Sequence, residues 1–285
     1  MPKISIVTDT DSSMPVSLAQ DHEILQVPIS INFGEERNET DLTLSNKTLF
    51  ERIDKEGRLP TTAAPTPGNF ADTFIKAFDK DGSEELVCFC ISSAMSATFE
   101  AAQIAARDIL PDRKITVVDT KTLSVAQGYM AIAAAEAAAR DASVSEIIDI
   151  AESIRSRSFI YGALATLKYL SMGGRVSHIA AGMAGMLNIK PILSVQNGKL
   201  DMLEKVRTKR KAWDRVIELT RADAARSRIE KMAVLHVAAP HDAHEFENLL
   251  RSNLDCPEEI ITMELNPGLS VHTGAGLVGV GFIIF

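Results

Sequence analysis

The chain has little cysteine, little aromatic surface and no long uninterrupted apolar run. Three cysteines in 285 residues make no disulfide framework. Cys88 and Cys90 lie two apart in Leu-Val-Cys-Phe-Cys-Ile-Ser. That strand pattern puts both thiols on one face, poorly placed for a bridge. They read as small buried hydrophobes, because a metal pair needs further ligands nearby and none is visible. Aromatic residues make up 5%, which argues against stacking platforms for bases or sugars and leaves the core to aliphatic and small side chains. The net charge of −8 argues against general nucleic-acid binding, while leaving room for a local basic patch. The alanine-rich run 129–139 is interrupted by Glu136 and is too short to span a bilayer. The opening Met-Pro-Lys-Ile-Ser-Ile-Val reads as a strand and not as a signal peptide. The expected location is the cytoplasm, with no integral membrane segment.

What is present fits an ordinary globular protein: 46% apolar and 24% charged residues, at a length that favours two domains. Strand and helix signals alternate through the first half: strands at 3–8, 25–31, 86–91 and 114–119, and helices at 44–56 (Ser45 as N-cap), 69–78, 96–110 and 124–140. This rhythm predicts a parallel sheet covered on both faces. The second half carries helices at 145–155, 209–226 and 241–250, and strands at 232–237 and 259–264. Gln196-Asn197-Gly198 between two short strands is a hairpin signal, so a mixed sheet is expected there. The expectation is an α/β protein with an N-terminal three-layer parallel-sheet domain, residues 1–160, and a C-terminal α/β mixed-sheet domain, residues 161–285.

Five segments carry candidate chemistry. Prolines flank Thr61-Thr62 and hold an extended stretch that presents two neutral hydroxyls; a local turn or helix-entry cap is the alternative. Ser92-Ser93-Ala94-Met95-Ser96 follows an apolar strand and precedes a helix. Hydroxyls and backbone N–H groups there suit an anion, or Ser93 or Ser96 is a plain N-cap. Gly173-Gly174-Arg175 delivers a guanidinium to an anion or ends a helix with a surface arginine. Lys205, Arg207, Lys209, Arg210 and Lys211 put five cations in seven residues, a steering patch for an acidic partner or a solvated helix face. Ser-Val-His-Thr-Gly-Ala-Gly-Leu-Val-Gly, 270–279, sets His272 before three glycines. It is a donor, a base or nucleophile, or a satisfied core histidine.

Read in chain order, these segments join Thr8-Asp9-Thr10-Asp11-Ser12-Ser13-Met14-Pro15, Val118-Asp119-Thr120-Lys121-Thr122, Leu170 to Ser177 and Leu187-Asn188-Ile189-Lys190-Pro191-Ile192-Leu193. Together they resemble the DegV family of bacterial fatty-acid-binding proteins over nearly the whole chain. The resemblance implies a long-chain fatty acid held in an apolar tunnel at the interface of two α/β domains. It also implies no cofactor, no turnover by the protein itself, and presentation of the carboxylate to a separate acyl kinase for phosphorylation in lipid metabolism. On that reading Thr62 takes the carboxylate, Ser96 (with Ser93 as its rival) adds a second donor, and His272 and Arg175 complete the polar end. Lys205, Arg207, Lys209, Arg210 and Lys211 then face the kinase. Leu164, Leu167, Met183, Met186, Leu187 and Ile189 are expected to line the tunnel.

The chain departs from the family pattern at Ala63-Ala64 (usually Ser-Gln), Ala97 (Gly), Thr208 (Gly) and Ala275 (Pro). The alternative to a carrier is a phosphotransfer or hydrolytic enzyme using His272. A third reading is a purely structural partner protein using the basic stretch.

Overall fold

A computed structural model describes residues 3–34, 39–173 and 189–285. The first half runs β1 (Ile4–Asp9), a 3-10 turn (Thr10–Ser12), α1 (Val16–Asp21), β2 (Leu25–Val27), β3 (Ser30–Asn32), β4 (Glu39–Thr40), α2 (Asn46–Glu56), β5 (Thr61–Ala63) and α3 (Pro67–Asp81). It continues with β6 (Glu85–Cys90), α4 (Thr98–Ile104, extended by one π turn to Ile109), β7 (Lys114–Asp119), α5 (Ser124–Ala138) and α6 (Val144–Arg157). The second half runs β8 (Ser158–Ala163), α7 (Lys168–Gly173), β9 (Lys190–Gln196), β10 (Lys199–Val206), α8 (Lys209–Ala224), β11 (Ile229–His236), α9 (Pro240–Asn253), β12 (Ile260–Glu264), α10 (Pro267–Thr273) and β13 (Val278–Ile284).

β2, β1, β6 and β7 form a parallel sheet in that order. Leu86 to Cys90 of β6 are all fully buried, as a parallel strand covered on both faces requires. The expected single strand at 25–31 is two strands in two sheets. Pro28 has no N–H to donate, and the next N–H, that of Ile29, is taken by Thr10 Oγ1 (3.0 Å) and Asp41 Oδ1 (3.1 Å) instead of by a strand. The chain turns there into a small antiparallel sheet, β4-β3-β5.

The third sheet has the order β10-β9-β8-β13-β11-β12 and is antiparallel except for the β11–β12 pair. This is the mixed sheet expected of the second half. The β9–β10 hairpin pairs Gln196 with Lys199 and places Asn197 and Gly198 at φ 50° and 78°, the two left-handed residues that a tight hairpin turn demands. The expected boundary at 160/161 falls within β8, whose pairing with β13 runs from Ser158 to Ala163.

α5 sits between the first and third sheets. Eleven of its fifteen residues are buried, so it is apolar all round rather than amphipathic. One core cluster runs from Ile6 and Phe89 through Met130 and Ala134 of α5 to Leu235 and Ile283. Gly281 of β13 lets the helix come this close: a Cβ there would stand 2.2 Å from Val125 Cγ1.

Candidate functional site

From β1 the chain crosses to β2 on one side, and from β6 to β7 on the other. The crevice at the carboxyl ends of β1 and β6 is therefore the switch point where open α/β sheets take ligands. Asp11, just past β1, and Ile91, just past β6, both line a cavity there. Its other walls are Thr62–Ala64 of the small sheet, Leu193 to Val195 and Leu235 of the third sheet, and Leu269 and His272 of α10. All three sheets thus meet at one space of about 1030 Å³, its mouth included. Most of the lining is aliphatic, with a few polar groups, which is the pattern of a small-molecule pocket.

Three of the expected polar residues share this cavity: Thr62, Ser96 and His272. Thr62 Oγ1 and His272 Nε2 are 2.8 Å apart, joining β5 to the last turn of α10. Ser96 Oγ lies 2.7 Å from Thr98 Oγ1 and accepts from Thr98 N at 3.3 Å. Ser93 is exposed and outside the cavity lining; its hydroxyl and N–H both donate to Asp119, at 2.6 and 3.2 Å. Arg175, with Met183, Met186 and Leu187, lies outside the described residues. Of the expected tunnel residues within them, Leu164 lines the cavity, Leu167 is buried in the core, and Ile189 packs against it.

His272 belongs to a helix and not to a glycine loop. Asn266 caps α10 by accepting from Leu269 N (3.3 Å), and Pro267 occupies its first turn, a start signal present in the sequence. A Cβ on Gly274 would stand 2.1 Å from the Tyr169 ring, and one on Gly276 3.0 Å from Ala165. Those two glycines serve close packing, while Gly279 lines the cavity.

In the basic stretch, Lys205 and Arg207 are exposed around the end of β10 and Lys209, Arg210 and Lys211 along the first turn of α8. Lys209 pairs with Asp242 (2.9 Å) and Arg210 with Asp214 (2.9 Å). Thr208, the departure from the family glycine, caps α8 by accepting from Lys211 N at 3.3 Å.

Sequence reasoning missed the buried braces behind the cavity. Ser92 Oγ donates to Gly198 O at 2.6 Å, tying the end of β6 to the β9–β10 hairpin. Asp9 accepts from Ile91 N (2.8 Å), Asp11 N (2.9 Å) and Gln127 Nε2 (3.1 Å). Asp41 accepts from the Thr10 hydroxyl (2.6 Å), Ile29 N (3.1 Å) and the Asn266 amide. Burial raises both acids, Asp9 to about 7 and Asp41 to about 6, against the pull of those donors. Their folded forms hold protons that the unfolded chain releases near pH 4. Stability therefore falls as pH rises from about 4 to 7, by about 3 kcal/mol for Asp41 alone. The melting temperature is expected to be higher at pH 5 than at pH 8, with Asp41→Asn flattening the slope. A melting temperature that climbs from pH 5 to pH 8 contradicts this.

Among the described residues, no helix is long and apolar enough to cross a membrane. Residues 3–284 match the family described as "Uncharacterised protein, DegV family". A DegV domain-containing protein of Streptomyces coelicolor is 34% identical over 278 residues, which is 97% of each chain. A DegV family protein from Thermus thermophilus, whose structure is described by its fatty acid binding, superposes with a TM-score of 0.89 at 27% identity, covering 100% of both chains. DegV from Bacillus subtilis, described as a fatty acid binding protein, superposes with a TM-score of 0.87 at 28% identity, again over 100% of both.

Proposed function

The chain belongs to the DegV family, and from that premise we propose that it binds a long-chain fatty acid in the cavity between its three sheets. One observation carries the reading: an aliphatic cavity at the switch point has a hydrogen-bonded Thr62–His272 pair in its wall. An acyl chain needs the apolar surface, and a carboxylate needs the donors. Solved relatives at 27% and 28% identity that are described as fatty acid binding support it.

On the same reading the protein is a carrier, and His272 orients the headgroup rather than attacking it. The carboxylate is presented to an acyl kinase, with Lys205, Arg207, Lys209, Arg210 and Lys211 on the partner-facing side. Nothing in the geometry favours a nucleophilic role for His272 over this one. Organic extraction of freshly purified protein, followed by mass spectrometry, is expected to recover a long-chain acid. Recovery of none, together with no uptake of added palmitate or oleate, overturns the reading.

A further inference from the structure

α5 is a fifteen-residue helix whose first residue, Ser124, lines the cavity together with Leu123. The first N–H groups of a helix have no acceptor within it, and Leu123 at the N-cap supplies none from its side chain. Among the described residues, no acceptor meets the N–H groups of Ser124, Val125 or Ala126. Ser124 is fully buried, at 0% exposure, and its hydroxyl has no hydrogen-bond partner among the described residues. Asn32 Oδ1, Asn46 Oδ1 and Gln127 Oε1 are orphaned as well, but their residues do not line the cavity. Ser124 also holds φ 52°, a left-handed conformation that a side-chain-bearing residue keeps only when its surroundings impose it.

A buried hydroxyl without a partner, at the positive end of a long helix and facing an apolar cavity, is a seat for a negatively charged oxygen. We infer that Ser124 and the first turn of α5 bind the ionised carboxylate of the acid this cavity is proposed to hold, an inference that rests on the carrier reading. Thr62, Ser96 and His272 then take one side of the headgroup and Ser124 the other. The hydroxyls of Thr62 and Ser96 are neutral, and the partial positive charge at the start of α5 adds a charge term that they do not supply. That charge favours an acid over a fatty alcohol of equal length.

The test compares oleate with oleyl alcohol on three proteins: wild type, Ser124→Ala and Ser124→Gly. Both variants are expected to bind oleate about tenfold more weakly, the loss of one charge-assisted hydrogen bond. Oleyl alcohol is expected to change by less than about threefold, since only the charge-assisted part is removed. Ser124→Gly relieves the positive φ, so its melting temperature without lipid should equal or exceed that of the wild type, and unfolding then cannot explain weaker oleate binding. The carboxyl resonance of bound ¹³C-carboxyl oleate should move in both variants. Unchanged oleate affinity, or equal losses for acid and alcohol, overturns the inference while leaving the carrier reading in place. Wild-type protein that takes up no oleate overturns the carrier reading and this inference with it.

Discussion

Replacing Gly162 with leucine is expected to weaken binding of long-chain acids about two-hundredfold while the protein stays folded. β8 alternates strictly: Phe159, Tyr161 and Ala163 face the cluster under α8 with Trp213, and Ile160 and Leu164 face the opposite core. Gly162 lies between the latter two, on the cavity side. β13 repeats the pattern, with Val278, Val280 and Phe282 on the α8 side. Gly162 pairs directly with Gly279, so this stretch of cavity wall is bare backbone, and the missing side chains leave the space an acyl chain would use. Among the described residues a Cβ on Gly162 meets only Leu277 Cδ1, at 3.7 Å, an ordinary contact. Leucine is therefore accommodated by the strand and projects into the cavity. If it displaces about four methylenes of the ligand, at about 0.8 kcal/mol each, affinity falls about two-hundredfold. Palmitate should lose this much and decanoate far less, as titration of both acids will show. Equal losses for the two acids would mean a damaged headgroup site, and no loss would mean the chain runs elsewhere. Gly279→Ala is the contrasting control. Its Cβ would stand 2.5 Å from Tyr161 O, so it is expected to cost about 1–3 kcal/mol of stability by overpacking.

How much of this was legible in the sequence depended on how local the cause was. The hairpin at 196–198 follows from Asn197 and Gly198 alone, and the α2 start from Ser45, which accepts from Thr48 N at 3.1 Å. The strand break at Pro28 was not legible as a change of sheet, because the groups that capture Ile29 N come from Thr10 and Asp41, far off in the chain. α10 carried its signal in Asn266-Pro267, but the glycines after His272 outweighed it and suggested a loop. In the site, hydroxyls on short extended or turning segments were visible as types, which is how Thr62 and Ser96 came forward. Ser124 was not visible: a serine opening an alanine-rich helix is commonplace, and only its backbone conformation and lack of a partner set it apart. Gly162, a lone glycine between tyrosine and alanine, was equally unmarked, since its meaning comes from its opposite number, Gly279, on a strand more than a hundred residues away.

Asp41→Ala is expected to damage fold and site together. The carboxylate is the common acceptor for three segments: the Thr10 hydroxyl after β1, Ile29 N before β3, and the Asn266 amide that opens α10. Thr10 still accepts from Ile29 N at 3.0 Å, so that N–H keeps one partner. The buried Thr10 hydroxyl is left with only the long contact to Val27 O (3.5 Å), and the half-buried Asn266 amide loses its acceptor, at about 1–3 kcal/mol together. Because burial raises Asp41 to about 6, part of this loss is offset at pH 8, where removing a buried charge is favourable, and the full loss appears near pH 5. Denaturant unfolding at the two pH values should show that ordering, and a larger loss at pH 8 would contradict it. The effect on the site travels through Asn266. Released from Asp41, it holds the N-terminus of α10 less firmly, and His272 sits nearly two turns further along, 2.8 Å from Thr62. Asn266→Ala alone removes the cap at about 1 kcal/mol and should weaken oleate binding in the same direction. If Asp41 acts on the ligand through that cap, the losses in oleate affinity from Asp41→Ala and Asn266→Ala will not add in the double variant. Full additivity would place the influence of Asp41 on the cavity in its contacts with Thr10 and Ile29 instead.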